Sequence, residues 1–202
     1  MCATGFFVHL PVHASGVYKG NGTECCSDYF VASYTPTLGA LAKARRGVSG
    51  PLRAEVKILL AAVPFPFQWK QLFHAVGEYT AVKSVVPERS LIALPPDCDP
   101  SVDPKASAGA ADVLSRITQA DILHLASHGF QHPTDPLQSG FVLRDRMLTI
   151  SELMALNHPN AFLAFLSACE TAKGDEQQPD QAVHLAATML FAGFRSVIGT
   201  MW

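Results

Sequence analysis

Short apolar runs recur along the chain. Between them lie either turn-forming residues or stretches whose apolar positions fall three or four apart. The run EVKILLAAV, 55–63, is nearly continuous and of strand length, which suits a parallel strand covered on both faces. LIAL, 91–94, DILHLA, 121–126, AFLAFLSA, 161–168, and SVIGTMW, 196–202, read as further strands. FFVHL, 6–10, and YFVAS, 29–33, are expected strands near the start, with KGNGTECCSD between them as a turn-rich connection. GFVLRD and MLTI form an expected hairpin around Asp145-Arg146.

Helical spacing fills the gaps. TPTLGALAKARRG, 35–47, places Thr35 as the cap, Pro36 at the first position and Gly47 just past the end. QWKQLFHAVGEY, 68–79, sets Trp69, Leu72, Phe73 and Val76 on one helical face. Residues 105–118 do the same with Ala111, Leu114 and Ile117. Thr149-Ile150-Ser151-Glu152 has the capping-box pattern, so a short helix should follow it. QAVHLAATMLFAGF, 181–194, is a strongly apolar helix. Strands alternating with helices predict an α/β fold around a mostly parallel sheet. PPDCDPSVDP, 95–104, is a loop and the expected flexible segment.

Composition narrows this picture. The 202 residues are 49% hydrophobic and 16% charged, enough for one domain with a real core. The formal net charge is −2. The densest basic spot, Lys43-Ala44-Arg45-Arg46, reads as a solvated helix end. Nucleic acid is not an expected partner, because phosphate binding needs clustered Lys and Arg. No stretch reaches the ~18 apolar residues that cross a bilayer, so no membrane partner is expected. The start, MCATGFFVHLPVHASG, lacks a basic segment and is interrupted by Pro11, which argues against a signal peptide. The cysteines are Cys2, Cys25, Cys26, Cys98 and Cys169. Their odd number and irregular spacing point to a reducing compartment, the cytoplasm first and the nucleus as the alternative.

Two apolar runs end on reactive side chains. LHLASHGF, 123–130, leads to His128, and AFLAFLSACET, 161–171, leads to Cys169. In an open α/β sheet, ligands bind beyond the carboxyl ends of the strands. If the two strands are parallel neighbours, both side chains emerge on the same edge. An imidazole there would stabilise the thiolate and later protonate a leaving amine. The attacked carbonyl oxygen needs N–H donors. The backbone of Gly129 and the amide of Cys169 are the candidates. Ser167, Ala168 and Gly174 are small and leave room for a peptide. Alternative readings stand beside this one. Cys169 at a strand end also fits a buried small hydrophobe, and His128 in a loop fits a surface residue. His124, His128 and His132 recur at every fourth position and on one helix could bind zinc. Gly129 and Pro133 interrupt that row, and 121–126 reads as a strand. No G-x-S-x-G elbow, P-loop or G-x-G-x-x-G is present.

HLASHGF, then LSACETAKGDE, then DQAVHLAATMLFAGFRSVIGTMW resembles the CHAT domain, a caspase-like domain often joined to tetratricopeptide repeats. FFVHLPVHASGVY and SDYFVASYTPTLGALAKAR are similar to its first part, especially in the fungal type. The resemblance runs from about Gly5 to Trp202, hence one domain over 5–202. It implies a caspase/separase-like cysteine peptidase fold with a mostly parallel sheet flanked by helices. It also implies a catalytic dyad of His128, paired with Gly129, and Cys169, within Ser167 to Thr171. The Q-A-C-x-G signature of caspases is absent, so cleavage after Asp is not implied. Family members usually continue beyond the Gly-Thr-Met-Trp strand, so the domain is expected to be incomplete at its C-terminal end.

The expected function is a cysteine endopeptidase working through a thioester, regulated by upstream repeats or partners, with a polypeptide substrate and neither cofactor nor metal. The alternative is a non-catalytic interaction module in a signalling or regulated-cell-death protein. A third reading is a zinc hydrolase through the histidine row. Glu170, Asp175 and Glu176 follow Cys169 and fit either a pocket for a basic P1 side chain or a solvated acidic loop.

Overall fold

The computed structural model describes residues 1–3, 7, 10–19, 22–45, 55–95, 100, 103, 106–156, 158, 160–167 and 185–199. Its N-terminal part differs from the expectation. A hairpin of β1 (Gly16–Lys19) and β2 (Gly22–Cys25), antiparallel with Lys19 opposite Gly22, turns inside the supposed connection and places its second strand there. The two residues between are Gly-Asn, a pair suited to so short a connection. Among the described residues, no strand is found at 29–33 or at Phe7 and Leu10, the described part of 6–10. Phe7 lies in a 3-10 turn, Leu10 in a bend, and 29–33 carries no strand. A strand needs a ladder partner, and here turns use the backbone instead. The Tyr29 and Phe30 amides both donate to Cys26 O at 3.1 Å. Phe30 and Val31 stay exposed, Val31 at 99%.

Helix α1 (Leu38–Arg45) is capped by Thr37, whose Oγ1 accepts from the Ala40 amide at 3.0 Å. Thr35 is not the cap. Its hydroxyl donates to Thr37 O at 2.8 Å. Gly47 lies outside the described residues. Then come β3 (Ile58–Ala62), α2 (His74–Val85), β4 (Leu91–Leu94), α3 (Ala110–Ile117) and β5 (Ile122–Ala126). After them follow β6 (His128–Phe130), β7 (Gly140–Val142), β8 (Met147–Thr149) and α4 (Ile150–Met154). The described chain closes with β9 (Leu163–Ser167), α5 (Leu185–Phe191) and β10 (Ser196–Gly199).

The central sheet has the order β4-β3-β5-β9-β10, and every neighbouring pair is parallel. Helices cover both faces, as the apolar runs predict. On one face Leu59, Leu123, Leu125 and Leu166, each 1% exposed or less, meet Val113 and Ile117 of α3, Leu153 of α4 and Met189 of α5. Each such burial contributes about 1.5–3 kcal/mol. On the other face Leu60, Ala62 and Ala126 pack against Ala75 and Tyr79 of α2. This is an α/β domain with a parallel sheet flanked by helices, consistent with a caspase-like fold.

Two further helices sit off their expected ranges. Trp69 precedes α2 and belongs to a turn in which Gln68 has φ 56°. That left-handed residue and Pro64 and Pro66 before it delay the helix. It then runs on to Val85, where Val86 adopts extended geometry before Pro87. In α3 the buried face is Ala110, Val113 and Ile117, whereas Ala111 is exposed. The helix starts late because 106–109 serves as an extended strap, with the Ala108 amide donating to Ala62 O and Ala108 O accepting from Arg144.

The 140–149 hairpin is present and belongs to a three-stranded antiparallel sheet, β6-β7-β8. The capping box at Thr149 is complete. The Thr149 amide donates to Glu152 Oε2 at 3.0 Å, and the Glu152 amide donates to Thr149 Oγ1 at 3.4 Å. Of the loop 95–104, only Pro95, Pro100 and Asp103 are described.

Candidate active site

The strand order places β3, the first of the sheet's strands in the chain, between β4 and β5, so that the chain continues to either side of it. That is a switch point of the kind where α/β sheets open a crevice at their carboxyl edge. In register, Ala62 pairs with Ala126 and Ala126 with Ser167. His128 lies two residues past Ala126, and Cys169 two past Ser167. The topology thus ends β5 and β9 side by side at one edge of the sheet. Cys169, Glu170, Asp175 and Glu176 themselves lie outside the described residues.

The segment after β3 builds the other wall. The Val63 amide donates to Ala126 O at 2.9 Å, the Phe65 amide to the buried Ser107 Oγ at 2.8 Å and the Phe67 amide to Leu143 O at 2.8 Å. Held at these points, the chain turns at Gln68 and presents Trp69 and the Lys70 carbonyl to His128. Nε2 of His128 lies 2.7 Å from Lys70 O. A carbonyl oxygen only accepts, so Nε2 carries the proton and Nδ1 keeps its lone pair in the neutral ring. The indole of Trp69 flanks the imidazole with centroids 5.3 Å apart, and Phe130 meets the indole edge-on at 5.9 Å. Gly129 lies in β6 opposite Phe141.

The histidine row does not act as a unit. His124 on β5 bonds Glu78 Oε1 through Nε2 at 2.7 Å, His128 bonds the Lys70 carbonyl, and His132 Nδ1 accepts from the Asp135 amide at 3.0 Å. Strand geometry at 122–126 separates positions that a helix would have stacked. Among the described residues no group of three or more His, Cys, Asp or Glu is gathered for a metal ion. Among them, too, no helix is long and apolar enough to cross a membrane.

Sequence reasoning missed Lys70, Trp69 and Glu78. Glu78 Oε2 accepts from Ser167 Oγ at 2.7 Å, so one carboxylate bonds residues of both β5 and β9. Burial pushes its carboxyl up, but hydrogen bonds from His124 and Ser167 and the nearby imidazole outweigh this and hold it below the usual range.

The site is therefore an oriented imidazole at the carboxyl edge of a caspase-like α/β sheet. The family model of the CHAT domain matches residues 3–202, and the chain belongs to that family. Membership places it with a caspase-like peptidase family. No curated protein matches the chain.

Proposed function

We propose that the chain is a cysteine endopeptidase in which His128 and Cys169 form the catalytic dyad. One observation carries the reading. The Lys70 carbonyl accepts a hydrogen bond from Nε2–H of His128, which leaves Nδ1 as the basic nitrogen at the edge toward which β9 runs. In this reading Nδ1 removes the Sγ proton of Cys169, and the thiolate attacks the peptide carbonyl carbon. The resulting oxyanion takes hydrogen bonds from the Gly129 and Cys169 amides. The imidazolium then returns its proton to the leaving amine, giving a thioester. Water attacks the thioester, with Nδ1 as base, and releases the acid and the thiolate. Glu170, Asp175 and Glu176 would favour a basic P1 side chain of the polypeptide substrate, and upstream repeats or other partners would regulate access.

The test uses a peptide library and iodoacetamide labelling with peptide mapping. Cys169→Ala should abolish cleavage, and His128→Ala should slow it about 10²–10⁴-fold. Cys169 should label first of the five thiols. First labelling at Cys25 or Cys98, with the order unchanged in His128→Ala, would defeat the dyad. Reversing charge at Asp175 and Glu176 should weaken any preference for Arg or Lys.

The scaffold reading draws on the exposed apolar residues at the N-terminal end, Tyr29 at 70%, Val31 at 99% and Leu38 at 73%. It predicts no cleavage by the unmodified chain and none lost on Cys169→Ala.

A further inference from the structure

Apart from the His128–Lys70 contact, one partly buried carboxylate ties three elements together. Glu78 sits in the second turn of α2 and reaches the sheet face on which only Ala75 and Tyr79 of that helix are buried. Its Oε1 accepts from His124 Nε2 and its Oε2 from Ser167 Oγ, both at 2.7 Å. His124 also stacks on its register partner Phe165 of β9, centroids 4.8 Å apart and rings inclined by only 9°. The side chains of His124 and Glu78 are 12% and 28% exposed.

We propose that Glu78 is a positioning residue for the dyad, locking α2 onto β5 and β9 so that the Lys70 carbonyl, His128 and the approach to Cys169 share one frame. The inference rests on the reading of His128 and Cys169 as the catalytic pair.

The ladder hydrogen bonds fix how β5 and β9 slide against each other. They do not fix where α2 rides above them. The apolar contacts on that face, made by Leu60 and Tyr79 with partly buried Leu72, Val82 and Leu91 and several alanines, are non-directional. A carboxylate bonded to two strands is directional. Lys70 lies four residues before α2 begins, so a shift of the helix moves the carbonyl that orients His128. Ser167, at the other end of the network, lies two residues before Cys169. A misplacement of about 1 Å in such a frame is enough to cost about 10²-fold in rate. Gln can keep the frame, since its amide accepts from His124 and donates to Ser167 Oγ. Ala cannot.

The experiment measures the iodoacetamide rate of Cys169 between about pH 5 and 9 in the full 202-residue chain. The unmodified protein, His128→Ala, Glu78→Ala, Glu78→Gln and Ser167→Ala are compared. Glu78→Ala should slow labelling near pH 6.5 by about 10–100-fold and move the profile toward that of an ordinary thiol, about pH 8.5. Glu78→Gln should stay within about threefold of the unmodified protein, the rescue expected when geometry and not charge is the cause. Ser167→Ala should lie between them. If Glu78→Ala fails to fold, Ser167→Ala decides, and an unchanged profile there overturns the inference. Equal losses in Glu78→Gln and Glu78→Ala would also overturn it, since charge alone would then be at work. Unchanged profiles in all three, with His128→Ala still altered, sink the positioning role and spare the dyad. A profile insensitive to His128→Ala removes both.

Discussion

The indole of Trp69 touches His128 and Phe130 and so shields one side of the imidazole, although Trp69 itself is 41% exposed. An aromatic pair of this kind is worth about 0.5–1.5 kcal/mol. If that contact helps hold the ring against the Lys70 carbonyl, Trp69→Ala should lower the Cys169 alkylation rate by up to about tenfold, with little change in melting temperature. Equal rates in the two proteins would reduce the indole to a surface side chain. The site residues differ in how far the sequence announces them. His128 stands out as a candidate because a strand-like run ends on it just before Gly129, and Cys169 is a candidate on the same ground, outside the described residues. Lys70 contributes a backbone carbonyl, which no side-chain pattern announces. Glu78 sits on a helix where carboxylates are ordinarily solvated, and its burial against His124 and Ser167 exists only once the strands are paired. Trp69 has helical spacing with Leu72 and Phe73. The left-handed Gln68 breaks that helix before it starts, and a propensity argument cannot see such a residue.

At the level of elements, the five parallel strands follow their apolar runs closely because each is covered on at least one face. LIAL matches β4 residue for residue. The strand expected at 29–33 fails because its apolar residues find no ladder partner, and the hairpin before it hides in a stretch rich in Gly and polar residues. β6 is not legible in the sequence because its three residues follow β5 after a single Ser127. That short strand carries His128 and pairs with β7, so the three-stranded sheet supports the site. Gly140 is a point of close backbone approach in that sheet. A Cβ there would stand 2.1 Å from Leu148 O and 2.9 Å from Thr149 Cα, both backbone atoms of β8. Gly140→Ala must therefore push β7 away from β8. Overpacking of this kind costs about 1–3 kcal/mol, and the disturbance should reach His128 through β6. Urea titration should show the loss, and alkylation of Cys169 should slow in the residual folded protein. Stability and rate both unchanged would mean that the hairpin relaxes freely and does not brace the histidine.

For the whole molecule, the carboxylates that brace the fold set its response to acid. Glu152 is held below the usual range chiefly by its hydrogen bond with Arg146, against the opposing effect of burial and with help from Thr149. Glu78 is lowered as well, hydrogen bonds there outweighing burial. A carboxyl with a depressed value in the folded state contributes stability that is fully present above its unfolded value, here 4.5, and is lost as pH falls through the folded value. Below 4.5 the unfolded chain takes up these protons first, so acid favours unfolding. A second cause acts over the same window. Protonating the 17 Asp and Glu leaves 15 Lys and Arg and 8 His to carry positive charge, and their mutual repulsion also favours expansion. Salt separates the two, because it screens the long-range repulsion far more than a hydrogen-bonded contact. The unfolding free energy from urea titrations should be level from pH 7 to about 5 and fall steeply below 4.5. In Glu152→Gln the fall should be shallower, from a lower starting stability, and the difference between the two proteins should persist at about 0.5 M salt. If the two curves run parallel at every pH, the local bonds of Glu152 play no part, and general charge repulsion alone accounts for acid unfolding.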